Sequence, residues 1–142
     1  MHPIIRNILA FIAGLILANI VNMCLIILGN NLIPAPEGAD ISSTEGLQET
    51  MHLLQPQNYL FPFLAHALGS FTGGFIIAKF AATNKMTLAM AFGILYLCFG
   101  LYMIAVVPAP TWFSVLDGFL AYLPMTYIGA KLALLKRKYK IF

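Results

Sequence analysis

The stretch Met86–Val107, MTLAMAFGILYLCFGLYMIAVV, carries no charged side chain from end to end. An α-helix rises 1.5 Å per residue, so roughly 20 apolar residues cross about 30 Å of hydrocarbon. This segment therefore reads as a membrane span, and three others resemble it. Ile8 to Leu28 has no charged residue, Tyr59 to Ala78 is interrupted by His66, and Trp112 to Ala130 contains Asp117. Helix is the open-chain way to satisfy every backbone group in lipid. The expected spans cover residues 5–29, 58–80, 86–107 and 112–135, with a loop over 30–57. The fold class predicted is an all-α membrane protein, an antiparallel bundle of four transmembrane helices in one domain over 1–142. The first run exceeds the about 7–15 apolar residues of a cleaved signal, and no A-x-A site follows it, so it is expected to be retained.

Composition agrees. The chain has 142 residues, 61% of them hydrophobic and 9% charged, and its mean hydropathy is +0.87. A soluble domain is about half apolar and about a quarter charged. So few charges cannot cover a water-exposed globule. The net charge of +3 does not point to nucleic acid, because the basic residues flank apolar runs and build no aromatic-interleaved patch. Cys24 and Cys98 stand alone in apolar segments and read as buried apolar thiols.

The basic residues instead set direction. Arg6, the pair Lys79 and Lys85, and the tail Lys131, Lys136, Arg137, Lys138 and Lys140 fall at the start, in the turn between helices two and three, and at the end. The loops over 30–58 and 108–111 have none. By the positive-inside rule both termini are cytoplasmic and those two loops external. Glu37, Asp40, Glu45 and Glu49 all lie in the first external loop. The basic tail is read as a topology anchor, with contact to anionic headgroups as its alternative.

That loop opens with a Pro34-Ala35-Pro36-Glu37-Gly38 turn signal. Ser42 and Glu45 fit a capping box, and Leu47, Met51 and Leu54 recur at helical spacing until Pro56. A short amphipathic helix of about three turns is expected, lying in the headgroups or capping the bundle. Within the bundle, interfaces in lipid need small residues that let backbones approach. Ala10, Gly14 and Ala18 form such a stripe on helix one, continued by Asn22. Ala65, Gly69 and Gly73 form one on helix two, with Gly74 beside it. Helices one and two are expected to be the tightest pair. Gly100 on helix three and Gly129 on helix four extend the same pattern, and Pro124 is expected to kink helix four by freeing the carbonyl of Leu120.

Polar side chains in hydrocarbon are costly and usually face the interior. Here they are Asn19, Asn22, His66 and Asp117. From the external helix ends, the helical rise puts Asn22, His66 and Asp117 about 10, 12 and 9 Å deep, and Asn19 about 15 Å. Three helices thus contribute to one candidate intramembrane polar layer, which Tyr102 and Tyr122 are placed to join. Its plainest role is register-fixing hydrogen bonds between helices. A histidine beside a carboxylate also suits proton handling, and asparagines suit a headgroup or quinone carbonyl. Asp117 lies near enough to the outer surface to be solvated. The aromatic cluster Tyr59, Phe61, Phe63 and Trp112 reads as an interfacial belt.

The Pro34-Ala35-Pro36-Glu37-Gly38 loop, the His66-x-x-Gly69-x-x-x-Gly73-Gly74 pattern and the Pro108-x-Pro110-x-Trp112-Phe113 opening of helix four together resemble a group of small four-span bacterial membrane proteins. The resemblance covers nearly the whole chain. It implies a bacterial cytoplasmic membrane location and no particular activity.

No catalytic, metal or cofactor signature stands out. Thiol redox chemistry wants paired cysteines and metal chemistry wants clustered ligands. The chain is expected to be a non-enzymatic accessory or scaffold component with membrane lipids as partners, together with other membrane proteins or further copies of itself. One alternative is a small oligomeric transporter or channel, weakened because the cytoplasmic half of every span lacks an ionisable residue near the midplane. Another is a lipid- or quinone-binding protein using His66, Asp117 and Asn22.

Overall fold

A computed structural model describes residues 2–138, with the side chains of 136–138 left aside; Lys140 of the basic tail lies outside the described residues. The described chain is helical and has no strand. Its elements are α1 (Pro3–Leu32), α2 (Thr44–Thr50), α3 (Leu60–Phe80), α4 (Lys85–Val106), α5 (Thr111–Leu120) and α6 (Leu123–Lys138). Two 3₁₀ turns, Met51–Leu53 and Pro56–Tyr59, join α2 to α3. Four stretches are long and apolar enough to cross a membrane: Pro3–Leu32, Pro56–Phe80, Lys85–Val106 and Thr111–Leu135.

α1 runs on through Asn30 and Asn31, past the expected end at 29, because Asn31 Nδ2 donates to its own helix at the carbonyl of Ile27 (2.8 Å) and so costs the helix no unpaired group. The fourth span is not one helix. It stops at Leu120, turns through Ala121 and Tyr122, and restarts as α6. Pro124 sits in the first turn of α6, where its missing N–H is no loss, but in a continuous helix it would have excluded the Leu120 carbonyl. The expected kink is a full break.

α3 is the central helix, packing most extensively against α1, next against α6, and less against α4. On the α1 side, Gly14 lies against Ile77 and the carbonyl of Gly73, and a β-carbon at Gly69 would come 3.1 Å from the carbonyl of Ala18. Ala10 and Ala18 are buried there. Gly73, whose carbonyl meets Gly14, and Gly74 also serve partners other than α1. A β-carbon at Gly73 would strike the ring of Phe92 on α4, and one at Gly74 would strike the backbone of Thr126 on α6. Consecutive helical residues point about 100° apart, so neighbouring glycines serve different partners.

At the basic end, Asn7 ties α1 to the α3–α4 turn. Its Oδ1 accepts from the backbone N–H of Ala82 (2.8 Å) and Thr83 (3.3 Å), and its Nδ2 donates to Thr83 Oγ1 (3.0 Å). Arg6 Nε donates to the carbonyl of Phe80 (2.8 Å). These contacts join the start of α1 to the end of α3, so the two helices run antiparallel. Cys24 and Cys98 are free and exposed, not buried in the bundle as expected. They belong to the outward apolar surface, where a thiol is as compatible with lipid as with a protein core.

Candidate functional site

α1 and α4 make little contact with each other. They meet through an edge-to-face pair, Phe11 and Phe92, with ring centroids 6.2 Å apart. Above that contact lies a cavity of about 420 Å³, bounded by α1, α3, α4 and α5 and covered by the segment between α1 and α3. Its walls are apolar, with Ile26, Phe99, Met103, Val107 and Phe113 among them.

The cover comes from α2 and the 3₁₀ turn after it. Leu47, Met51 and Leu54, expected on one helical face, all line the cavity, although only Leu47 lies in α-helix. The expected capping box does not form, because the cap moves by one residue and brings Gly46, which has no side chain to reciprocate, to its third position. Ser43, not Ser42, caps α2, its Oγ accepting from the N–H of Gly46 (3.0 Å). Ser42 is held elsewhere, donating through both its hydroxyl (2.6 Å) and its N–H (2.9 Å) to Asp40 Oδ1. Those two bonds, the side-chain one first, hold the Asp40 carboxyl below its usual range. The cover is fastened to the bundle by Gln48 Nε2, which donates to the carbonyl of Val106 (2.7 Å). Asn58 Nδ2 donates to the carbonyl of Pro34 (3.2 Å) and secures the two ends of the segment to each other.

The polar groups gather within the cavity. His66 Nδ1 lies 2.9 Å from both oxygens of Asp117, and the Tyr122 hydroxyl donates to Asp117 Oδ2 at 3.0 Å. An ionised carboxylate only accepts, so with Asp117 ionised Nδ1 carries the proton between them. Asp117 is not solvated as its shallow depth suggested; it is 1% exposed. An isolated buried carboxylate would be very costly, and two donors are what make the position tolerable. The His66 side chain is 29% exposed against 2% for Asp117. The dyad therefore offers the cavity an imidazole edge and keeps its carboxylate behind it.

The break in the fourth span creates this arrangement. In a continuous helix, residues five apart point about 140° from one another, so Asp117 and Tyr122 could not meet. The turn at Ala121 and Tyr122 swings the phenol back, where it stacks on His66 with centroids 5.5 Å apart. Gly100 leaves the room: a β-carbon there would collide with the Tyr122 hydroxyl. Gly100 is thus a seat for a side chain, not a helix-pairing residue.

Of the expected polar layer, His66 and Asp117 are joined directly. Asn22 lines the same cavity. Asn19 also lines it, but its Nδ2 donates to the carbonyl of Leu15 (2.8 Å) on its own helix. Tyr102 stays outside, 63% exposed. Tyr96, not expected in this layer from the sequence, takes the place expected for Tyr102, beside Tyr122 at 6.0 Å and close to Gly69, which has no side chain to displace it. The signal for both tyrosines was present in the sequence as glycines at matching depth on facing helices. Tyr59, read as part of an interfacial belt, is buried against Phe113 (4.8 Å) and Trp112 (5.6 Å) and closes the cavity's outer edge. Among the described residues no three His, Cys, Asp or Glu side chains converge on a metal position.

Comparison with protein-family models, with curated proteins and with solved structures finds no match to this chain.

Proposed function

We propose that this chain is a multi-pass protein of a bacterial cytoplasmic membrane, with both termini cytoplasmic, that holds a small amphiphile in the cavity beneath its external loop. The membrane setting is supported by the outward surface: Ile8, Ile12, Ile16, Ile20 and Ile27 of α1 are all about half exposed or more, an arrangement lipid solvates and water does not. Orientation rests on the basic residues, which gather at the end opposite the cavity. The bacterial location rests on the resemblance described above.

The observation that carries the binding reading is the pairing of apolar walls with one recessed hydrogen-bonding group. Small-molecule sites are mostly apolar concavities of about 300–1,000 Å³ with a few convergent polar groups, and a cavity of about 420 Å³ with His66, Asn19 and Asn22 on its lining has that form. An accessory or scaffold role draws on no comparable feature of the molecule. A photoreactive hydrophobic probe added to the protein in lipid nanodiscs tests the reading. Crosslinks are expected on Phe99–Val107 and on the α2 cover. Ile26→Trp, which fills the cavity from α1, is expected to abolish them without lowering the melting temperature by more than a few degrees. Labelling confined to the outer face of α1 would refute the reading.

A further inference from the structure

We infer that the cavity selects an uncharged, hydroxyl-bearing single-chain amphiphile and turns away charged headgroups of either sign. This rests on the binding reading above and adds the chemistry of the ligand.

The first ground is the charge inventory. No lysine or arginine lines the cavity. The four cations whose side chains are described are engaged at the opposite end: Arg6 on the Phe80 carbonyl, Lys85 on the Ala78 carbonyl, Lys79 over the rings of Phe75 and Phe80, and Lys131 over Tyr127. A phosphate or carboxylate entering here would lose its hydration, meet no cation, and approach the charge of Asp117.

The second ground concerns cations. Asp117 is the one acid on the lining, and both of its oxygens already accept, from His66 and Tyr122. Oδ1 accepts only the shared His66 bond, but at 1% exposure the carboxylate presents almost no surface to an incoming ammonium. An ammonium headgroup would have to break the dyad to be paired.

What remains on the lining is neutral and bifunctional. With Nδ1 turned to Asp117, the other ring nitrogen of His66 is left to the cavity, an acceptor in the neutral ring and a donor in the protonated one, and a hydroxyl serves either. The Asn22 carboxamide carries both donor and acceptor atoms, and Asn19 keeps its oxygen and one N–H after its Nδ2 donates to Leu15. A hydroxyl matches this set, donating to the imidazole and accepting from the amide. Size restricts the apolar part, since a cavity of about 420 Å³ lies low in the range of small-molecule sites. It suits one chain better than two.

The test uses the wild-type protein in nanodiscs and three diazirine probes that share one alkyl chain. One ends in a glycerol monoester, one in the corresponding phosphate, and one in a primary ammonium. Capture on the Phe99–Val107 peptide is measured singly and in competition. The glycerol probe is expected to be captured about tenfold or more in preference to either charged probe, the factor that about 1.4 kcal/mol of unmatched headgroup desolvation produces. Equal or stronger capture of the phosphate or the ammonium probe at that peptide would overturn the headgroup inference and leave the cavity reading standing. Capture of none of the three there would remove both.

Discussion

A carboxylate among apolar side chains must find donors, and Asp117 draws them from two helices, His66 on α3 and Tyr122 at the head of α6. Breaking a buried ion pair in a soluble protein costs about 3–5 kcal/mol, while single hydrogen bonds between membrane helices average about 0.6 kcal/mol. His66→Ala falls between these limits, because Tyr122 remains as a donor; a loss of about 2 kcal/mol is expected. The two changes should not add. In a double-mutant cycle with Asp117→Asn, unfolding in mixed micelles is expected to give a coupling of about 1 kcal/mol or more. Additive losses would show that the pair contributes no interaction of its own. The four polar positions were legible in the sequence because helical rise alone assigns their depth. Their pairing was not. Asn19 turned to its own backbone, an option open to any helical asparagine; Tyr122 could be placed by depth, but on helix three the expectation fell on Tyr102 where Tyr96, facing Gly69, takes the position.

Among elements, α3 shows how one helix serves three partners through adjacent small residues. Gly73 accommodates Phe92 and Gly74 accommodates Thr126, so neither tolerates a β-carbon in the present packing. Overpacking a tight interface costs typically about 1–3 kcal/mol. Gly73→Leu and Gly74→Leu are each expected to lower the melting temperature in detergent clearly, whereas Cys98→Ala, at an exposed position, should leave it nearly unchanged. Equal melting temperatures for all three would contradict the interfaces described. The stripe on α1 and its partner on α3 could be read directly, since four-residue spacing keeps side chains on one face. The division of labour between Gly73 and Gly74 could not, because it depends on where α4 and α6 stand. Pro124 announced a disturbance in the fourth span, but its depth was invisible without Gly100 to receive the displaced phenol. In the loop, Ser42 and Ser43 were equally good caps by composition. Asp40, two residues before Ser42, decided between them by engaging Ser42.

At the scale of the whole molecule, the apolar surface faces outward, while small residues, Tyr59, Tyr96, Tyr122 and the His66–Asp117 pair face inward, the distribution expected when the solvent is lipid. Hydrophobicity and the placement of lysines and arginines made this the most legible level of all, as both follow from bulk solvation without any knowledge of packing. The covered cavity lies opposite the basic end, so the reading of its ligand depends on the direction of insertion. Single cysteines introduced as Glu37→Cys and Lys138→Cys, in a background carrying Cys24→Ser and Cys98→Ser, test that direction with a membrane-impermeant maleimide on intact cells. Position 37 is expected to label at once and position 138 only after the membrane is permeabilised. Prompt labelling at 138 in intact cells, or a product that stays in solution without any amphiphile, would contradict the account.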